Sequence, residues 1–158
     1  MYHLAQINIA QMKGKDINDP IMKDFVDNID RINQLAEGSP GFVWRLKDEE
    51  DNALSINPFP DNSLLINVSV WEDVTSLQQY VYKSMHVEIM KRKQEWFHHF
   101  SGFYYALWWI KAGAFPSAQQ AAEKLKQLQA NGPSQEVFTF KESYPPRAIN
   151  ESLWYKKS

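Results

Sequence analysis

The side chains best placed to act on a small molecule are Asn8, Asn67, Ser69 and His86. Histidine titrates near neutral pH, so it can serve as base, acid or metal ligand. Carboxamides and a hydroxyl can orient a carbonyl or phenolic oxygen, or stabilise charge on an enolate or a peroxide. Each group also has a plainer use. His86 follows a break at Lys83-Ser84 and can simply hydrogen-bond a helix kink. Asn8, Asn67 and Ser69 can satisfy one another across strands, as buried polar groups must be bonded.

Other candidates are weaker. Trp71, Trp96, Phe97, Trp108 and Trp109 suit a core or a subunit interface, and also the wall of a pocket. Arg45 can meet a substrate carboxylate or lie at the surface. His98-His99 resembles a metal pair, but adjacent helical residues point about 100° apart. Glu95 with His99 has usable i, i+4 spacing yet lacks a third ligand. The acidic loop Lys47–Ser63 has no Gly for a calcium turn and reads as a solvated connection. No Walker loop, dinucleotide-binding glycine motif, nucleophile elbow or HExxH is present.

The elements that must position these groups follow from periodicity. His3–Ala10 alternates, with Ala5, Ile7 and Ile9 opposed to Leu4, Gln6 and Asn8. Asp19-Pro20 opens a helix with the stripe Met22, Phe25, Val26, Ile29, Ile32 and Leu35. Phe42–Leu46 is a second strand, with Phe42, Trp44 and Leu46 expected on one face. Leu64–Trp71 is a third, with Leu65, Asn67, Ser69 and Trp71 on one face. If it neighbours the first strand, four short polar side chains share a surface. A helix capped by Thr75 or Ser76 follows, then a second helical piece over about Met85–Phe97. Phe103–Ile110 is a fourth strand, large on both faces. Ser117 and Gln120 form a capping box for a helix to Asn131. Val137–Lys141 reads as a short fifth strand.

This order is a split β-α-β unit of the ferredoxin-like type, in the α+β class, with an antiparallel sheet and an extra C-terminal helix. Residues 1–112 form the core. Residues 113–158 add a helix, a short strand and a tail packed on the same domain. Both sheet faces are apolar, and one helical layer covers only one of them. The expected cover is a second copy in a homodimer with sheets face to face; the alternative is the C-terminal helix of the same chain.

Composition narrows the function. A net charge of −2 gives no electrostatic footprint for nucleic acid. Cysteine is absent, so thiol and Cys-zinc chemistry are excluded. No signal-peptide pattern or membrane-length apolar run is found, which leads to the expectation of a cytoplasmic protein without a membrane partner. Aromatics reach 14%, enough for a lined pocket as well as a core.

The run VSVWEDVTSLQQYVYKSMH resembles the antibiotic-biosynthesis-monooxygenase-like proteins of the dimeric α/β barrel superfamily. HLAQINIA, SPGFVWRL at Ser39–Leu46, ALWWIKAG at Ala106–Gly113 and GPSQEVFTF at Gly132–Phe140 extend the resemblance to an uncharacterised bacterial branch of that group. The resemblance implies a cofactor-independent monooxygenase-like enzyme with a hydrophobic substrate between sheet and helices. His86 and Asn8 would be catalytic, and Asn67, Ser69, Trp71, Tyr80, Met90, Phe97 and Trp108 would bind substrate. No cofactor or metal is expected. The alternatives are a non-catalytic ligand-binding or structural homodimer, and a haem-binding or haem-degrading protein. In haem-degrading relatives an Asn, a Trp and a His form the working set. Asn8 matches the first, Tyr80 stands in the second place and Met90 in the third, with His86 one turn earlier.

Overall fold

The computed structural model describes residues 1–83, 88 and 91–146. Its elements are β1 (Tyr2–Gln11), α1 (Lys23–Glu37), β2 (Phe42–Arg45), β3 (Leu64–Trp71), α2 (Val74–Lys83), α3 (Lys93–Trp96), β4 (Tyr105–Lys111) and α4 (Ala118–Asn131). The four strands form one sheet in the order β2-β3-β1-β4, with every pair antiparallel. The fold is α+β and ferredoxin-like.

Local chemistry explains the boundaries. Asp19 accepts the Ile21 amide, and Pro20 begins a single 3₁₀ turn that leads into α1. α2 is capped by Asp73, whose Oδ1 accepts the Ser76 amide at 2.8 Å, rather than by Thr75 or Ser76. The Ser117–Gln120 capping box forms in both directions at 3.1 and 2.9 Å. Gly41 permits the close approach of β2 to α2. Its φ is +83°, and a Cβ there would lie 2.1 Å from Ser76 Oγ. Residues 137–141 make only a bridge: Phe138 exchanges two backbone hydrogen bonds with Leu107 at the outer edge of β4.

β2 departs from simple alternation. Phe42 opposes Trp71 and Trp44 opposes Val70, so Val43 is the extra residue of a β-bulge. Phe42 stays on the helix-covered side, packed edge-on against Trp71 at 5.4 Å. Val43, Trp44 and Leu46 pack on the other side. Phe42, Trp44 and Leu46 therefore do not share a face, and the bulge brings Arg45 opposite Ser69.

Each sheet face has its own cover. On one, Leu4, Trp71 and Leu107 pack with Ala36 of α1, Leu77 of α2 and Phe138. On the other, Ala5, Ile7, Val68, Val70, Ala106 and Trp108 pack with Ala121, Leu125, Leu128 and Val137. α4 thus buries the second face within the chain, and a second sheet is not needed to do so. Each leucine buried there contributes roughly 1.5–3 kcal/mol.

Candidate functional site

A cavity of about 510 Å³ lies between the sheet and its helical cover. β1 and β3 provide the floor, because the antiparallel register sets Asn8 opposite Asn67 and Gln6 opposite Ser69. The polar positions of the two strands therefore coincide. Gln6 Nε2 donates to Asn67 Oδ1 at 2.6 Å and to Ser69 Oγ at 2.8 Å. Asn8 Nδ2 donates to Gln6 Oε1 at 3.2 Å and, more weakly, to Asn67 Oδ1 at 3.5 Å. Trp71 Nε1 donates to Ser69 Oγ at 2.8 Å. Gln6 is the hub of this network. Among the described residues, Asn67 Nδ2 and Asn8 Oδ1 have no hydrogen-bond partner, so the floor keeps a donor and an acceptor for the cavity.

Aromatic rings build much of the walls. Tyr80 stacks on Trp71 with centroids 5.2 Å apart. Its hydroxyl donates to the Ile32 carbonyl at 3.3 Å, tying α2 to α1. Burial pushes the Tyr80 phenol well above its ordinary pKa, so it stays protonated at neutral pH. At one end Phe25 packs on Trp96 at 5.6 Å and on Phe97 at 5.0 Å. Phe97 bridges to Met12, and the His98 amide donates to the Gln11 carbonyl at 2.9 Å, which fixes this end wall to β1. His98 and His99 line the cavity with exposed side chains. Among the described residues no group of three or more His, Asp or Glu side chains could hold a metal ion.

Arg45 also lines the cavity, but it is buried rather than at the surface. Its Nη2 lies 3.3 Å from Glu37 Oε1 and 3.1 Å from Asp51 Oδ1, and its Nη1 donates to the Asp51 carbonyl at 2.7 Å. Two carboxylates compensate one guanidinium, which leaves no net positive charge there for a substrate carboxylate.

The sequence-predicted residues divide clearly. Asn8, Asn67, Ser69, Trp71, Tyr80 and Phe97 all line the cavity. Trp108 does not: it opposes Ala5 and belongs to the core on the other sheet face. Strand alternation places it there, since Leu107 takes the cavity side. His86 and Met90 lie outside the described residues. Gln6 and Asn33 are cavity residues that the sequence-derived site omits. Asn33 falls four residues after Ile29, at the border of the apolar stripe, and periodicity alone does not say which side of that border it takes.

No curated protein matches the chain. Among solved structures, the chain is similar to SnoaB, a cofactor-independent oxygenase from Streptomyces nogalater. The two share 12% identity over 72% of this chain and 96% of that one, with a TM-score of 0.44. A conserved protein from Methanosarcina mazei Go1 shares 13% identity over 70% and 93%, with a TM-score of 0.47. The NE2512 protein of unknown function from Nitrosomonas europaea shares 13% over 74% and 95%, with a TM-score of 0.46. A family profile matches residues 3–154, nearly the whole chain and every residue that lines this cavity, and the chain belongs to that family, the domain of unknown function DUF3291.

Proposed function

We propose that the protein binds a hydrophobic small molecule between the sheet and α1/α2 and oxygenates it without a cofactor. The observation that carries this reading is the polar floor inside an aromatic-walled cavity: Asn8 and Asn67 keep open hydrogen-bonding groups, while Gln6, itself bonded to Ser69, holds them in place. Such groups orient a carbonyl or phenolic oxygen and stabilise the anion formed when an adjacent carbon is deprotonated. The substrate itself then supplies the electrons. Its carbanion adds dioxygen to give a peroxide, and the O–O bond breaks with loss of water. A CH₂ group and O₂ become a carbonyl and H₂O. His86 is the assigned proton-transfer residue. His98 and His99 are the histidines that line the described cavity, and replacing each of the three separately identifies the base.

Anthrone is a suitable model carbon acid. The expected result is oxygen uptake matched one to one by anthraquinone, above the uncatalysed rate and lost in an Asn8→Ala/Asn67→Ala variant. Saturable binding without oxygen uptake would instead establish the second reading, a ligand-binding protein without turnover. That reading is favoured by one specific feature: much of the floor's hydrogen-bonding capacity is spent internally.

A further inference from the structure

Asn33 is the one polar side chain that α1 turns into the apolar layer over the sheet. It is 93% buried (7% exposed), lines the cavity, and makes no hydrogen bond through its carboxamide to any described residue. Its amide atoms are not sealed off, since among the described residues only His3 Nδ1 is a fully buried side-chain polar atom without a partner, so the carboxamide opens on the cavity. A leucine at this position would complete the stripe of Ile29, Ile32 and Ala36 and present no polar group there. The helix is also held in place here. Tyr80 donates to the Ile32 carbonyl, one residue before Asn33. The amide is thus a fixed group presented to the cavity from the wall opposite the Asn8–Asn67 floor.

The charges around the cavity restrict what this group can meet. Arg45 is compensated by Glu37 and Asp51. Lys93 is exposed, with its ammonium over the Tyr104 ring at 5.4 Å. His98 and His99 belong to the end wall that follows Phe97. Among the described residues, the polar groups that the floor and α1 leave open to a ligand are the neutral amides of Asn8, Asn67 and Asn33, able both to donate and to accept.

We propose that Asn33 is a specificity-determining residue that, with the sheet-side amides, clamps an uncharged ring compound bearing hydrogen-bonding groups at two separate edges. One polar group meets Asn8 and Asn67, the other meets Asn33, and the ring lies among Phe25, Trp71 and Tyr80. This inference rests on the cavity being the ligand site, but it does not require turnover.

The test uses four probes of similar ring size: naphthalene, 1-naphthol, 1,5-dihydroxynaphthalene and 1-naphthoate, with binding to the full chain measured by equilibrium dialysis. The diol should bind about tenfold tighter than 1-naphthol, which in turn binds several-fold tighter than naphthalene, with 1-naphthoate weakest. Asn33→Leu should weaken the diol about tenfold, bringing it to the level of 1-naphthol, and leave naphthalene unchanged. Should the larger side chain not be accommodated, Asn33→Ala makes the same comparison. Equal loss for diol and naphthalene marks a structural role and overturns the proposal. So does an unchanged diol affinity, the result if water alone satisfies the amide, or a preference for the naphthoate. In those three cases the cavity reading survives, since ligands still bind. Absence of binding by all four probes to the unaltered protein overturns both.

Discussion

Gln6 and Ser69 stand opposite each other across β1 and β3, and Gln6 Nε2 donates to Ser69 Oγ at 2.8 Å. The same nitrogen donates to Asn67, and the Gln6 carbonyl oxygen accepts from Asn8. One buried side chain therefore holds three cavity-floor groups. Gln6→Leu removes all of these bonds and leaves the buried Ser69 hydroxyl with the Trp71 indole as its one remaining side-chain partner. The expected loss is about 2–3 kcal/mol in urea-induced unfolding. Asn67→Ala should cost well under that, because Asn67 is exposed to the cavity. Equal losses for the two variants would contradict Gln6 as the hub.

Arg45 makes an asymmetric prediction. The guanidinium is 6% exposed, while Glu37 and Asp51 are 43% and 67% exposed. Removing the arginine leaves two carboxylates that water can reach. Removing both carboxylates leaves a buried cation. Arg45→Met should therefore cost about 1–2 kcal/mol, and Glu37→Gln/Asp51→Asn about 3 kcal/mol. Urea unfolding of both variants checks the order, and the reverse order would show that the pair acts through surface charge alone.

Parts of this arrangement were legible before the structure. The alternation of β1 and β3 placed Gln6, Asn8, Asn67 and Ser69 on one side of their strands, and the element order gave the sheet that makes those strands neighbours. Three features were hidden for physical reasons. The bulge at Val43 inserts one residue without any glycine to mark it, so Arg45 was misplaced. The cover over Ala5, Ile7 and Trp108 depends on where α4 docks, and its modest Ala/Leu stripe does not name a partner. Asn33 read as one more polar residue of an amphipathic helix, since only the tertiary packing shows that it points inward.

The outer surface beside the cavity predicts a simple pH response. Arg92 bridges α1 to α3, with Nη2 2.8 Å from Asp24 Oδ2 and Nε 2.8 Å from Glu95 Oε2. The hydrogen bond from Arg92 holds the Glu95 carboxyl below the ordinary glutamate range. A carboxylate with a lowered folded-state pKa stabilises above its unfolded value and loses that contribution as the pH falls through the folded value. The effect is thus confined to acid pH. In an NMR titration of the side-chain carboxyls, Glu95 should titrate below an ordinary glutamate in the unaltered protein and move upward in Arg92→Gln. High salt should shrink the difference, because these groups are exposed. A Glu95 titration indifferent to Arg92→Gln would rule out the bridge in solution.

The second face of the sheet gives the most demanding test of the fold. Ala5, Ile7, Val70 and Ala106 are fully buried there, and Val68 and Trp108 nearly so, all beneath Leu125, Leu128 and Val137 of the same chain. A chain ended after Ala112 keeps the four strands but loses that cover. The bared face is continuous and apolar, which is the condition for sheet-to-sheet pairing or aggregation. The full chain should sediment as a species near 18.5 kDa, and the shortened one should associate or precipitate at the same concentration. Leu125→Asp in the full chain makes the same point with a single change, because a carboxylate there must either lift α4 or be buried unpaired. A shortened chain that stays monomeric and unfolds cooperatively would mean that α4 is dispensable. A full chain of twice the mass that Leu125→Asp leaves folded and paired would place the dimer contact on some other surface.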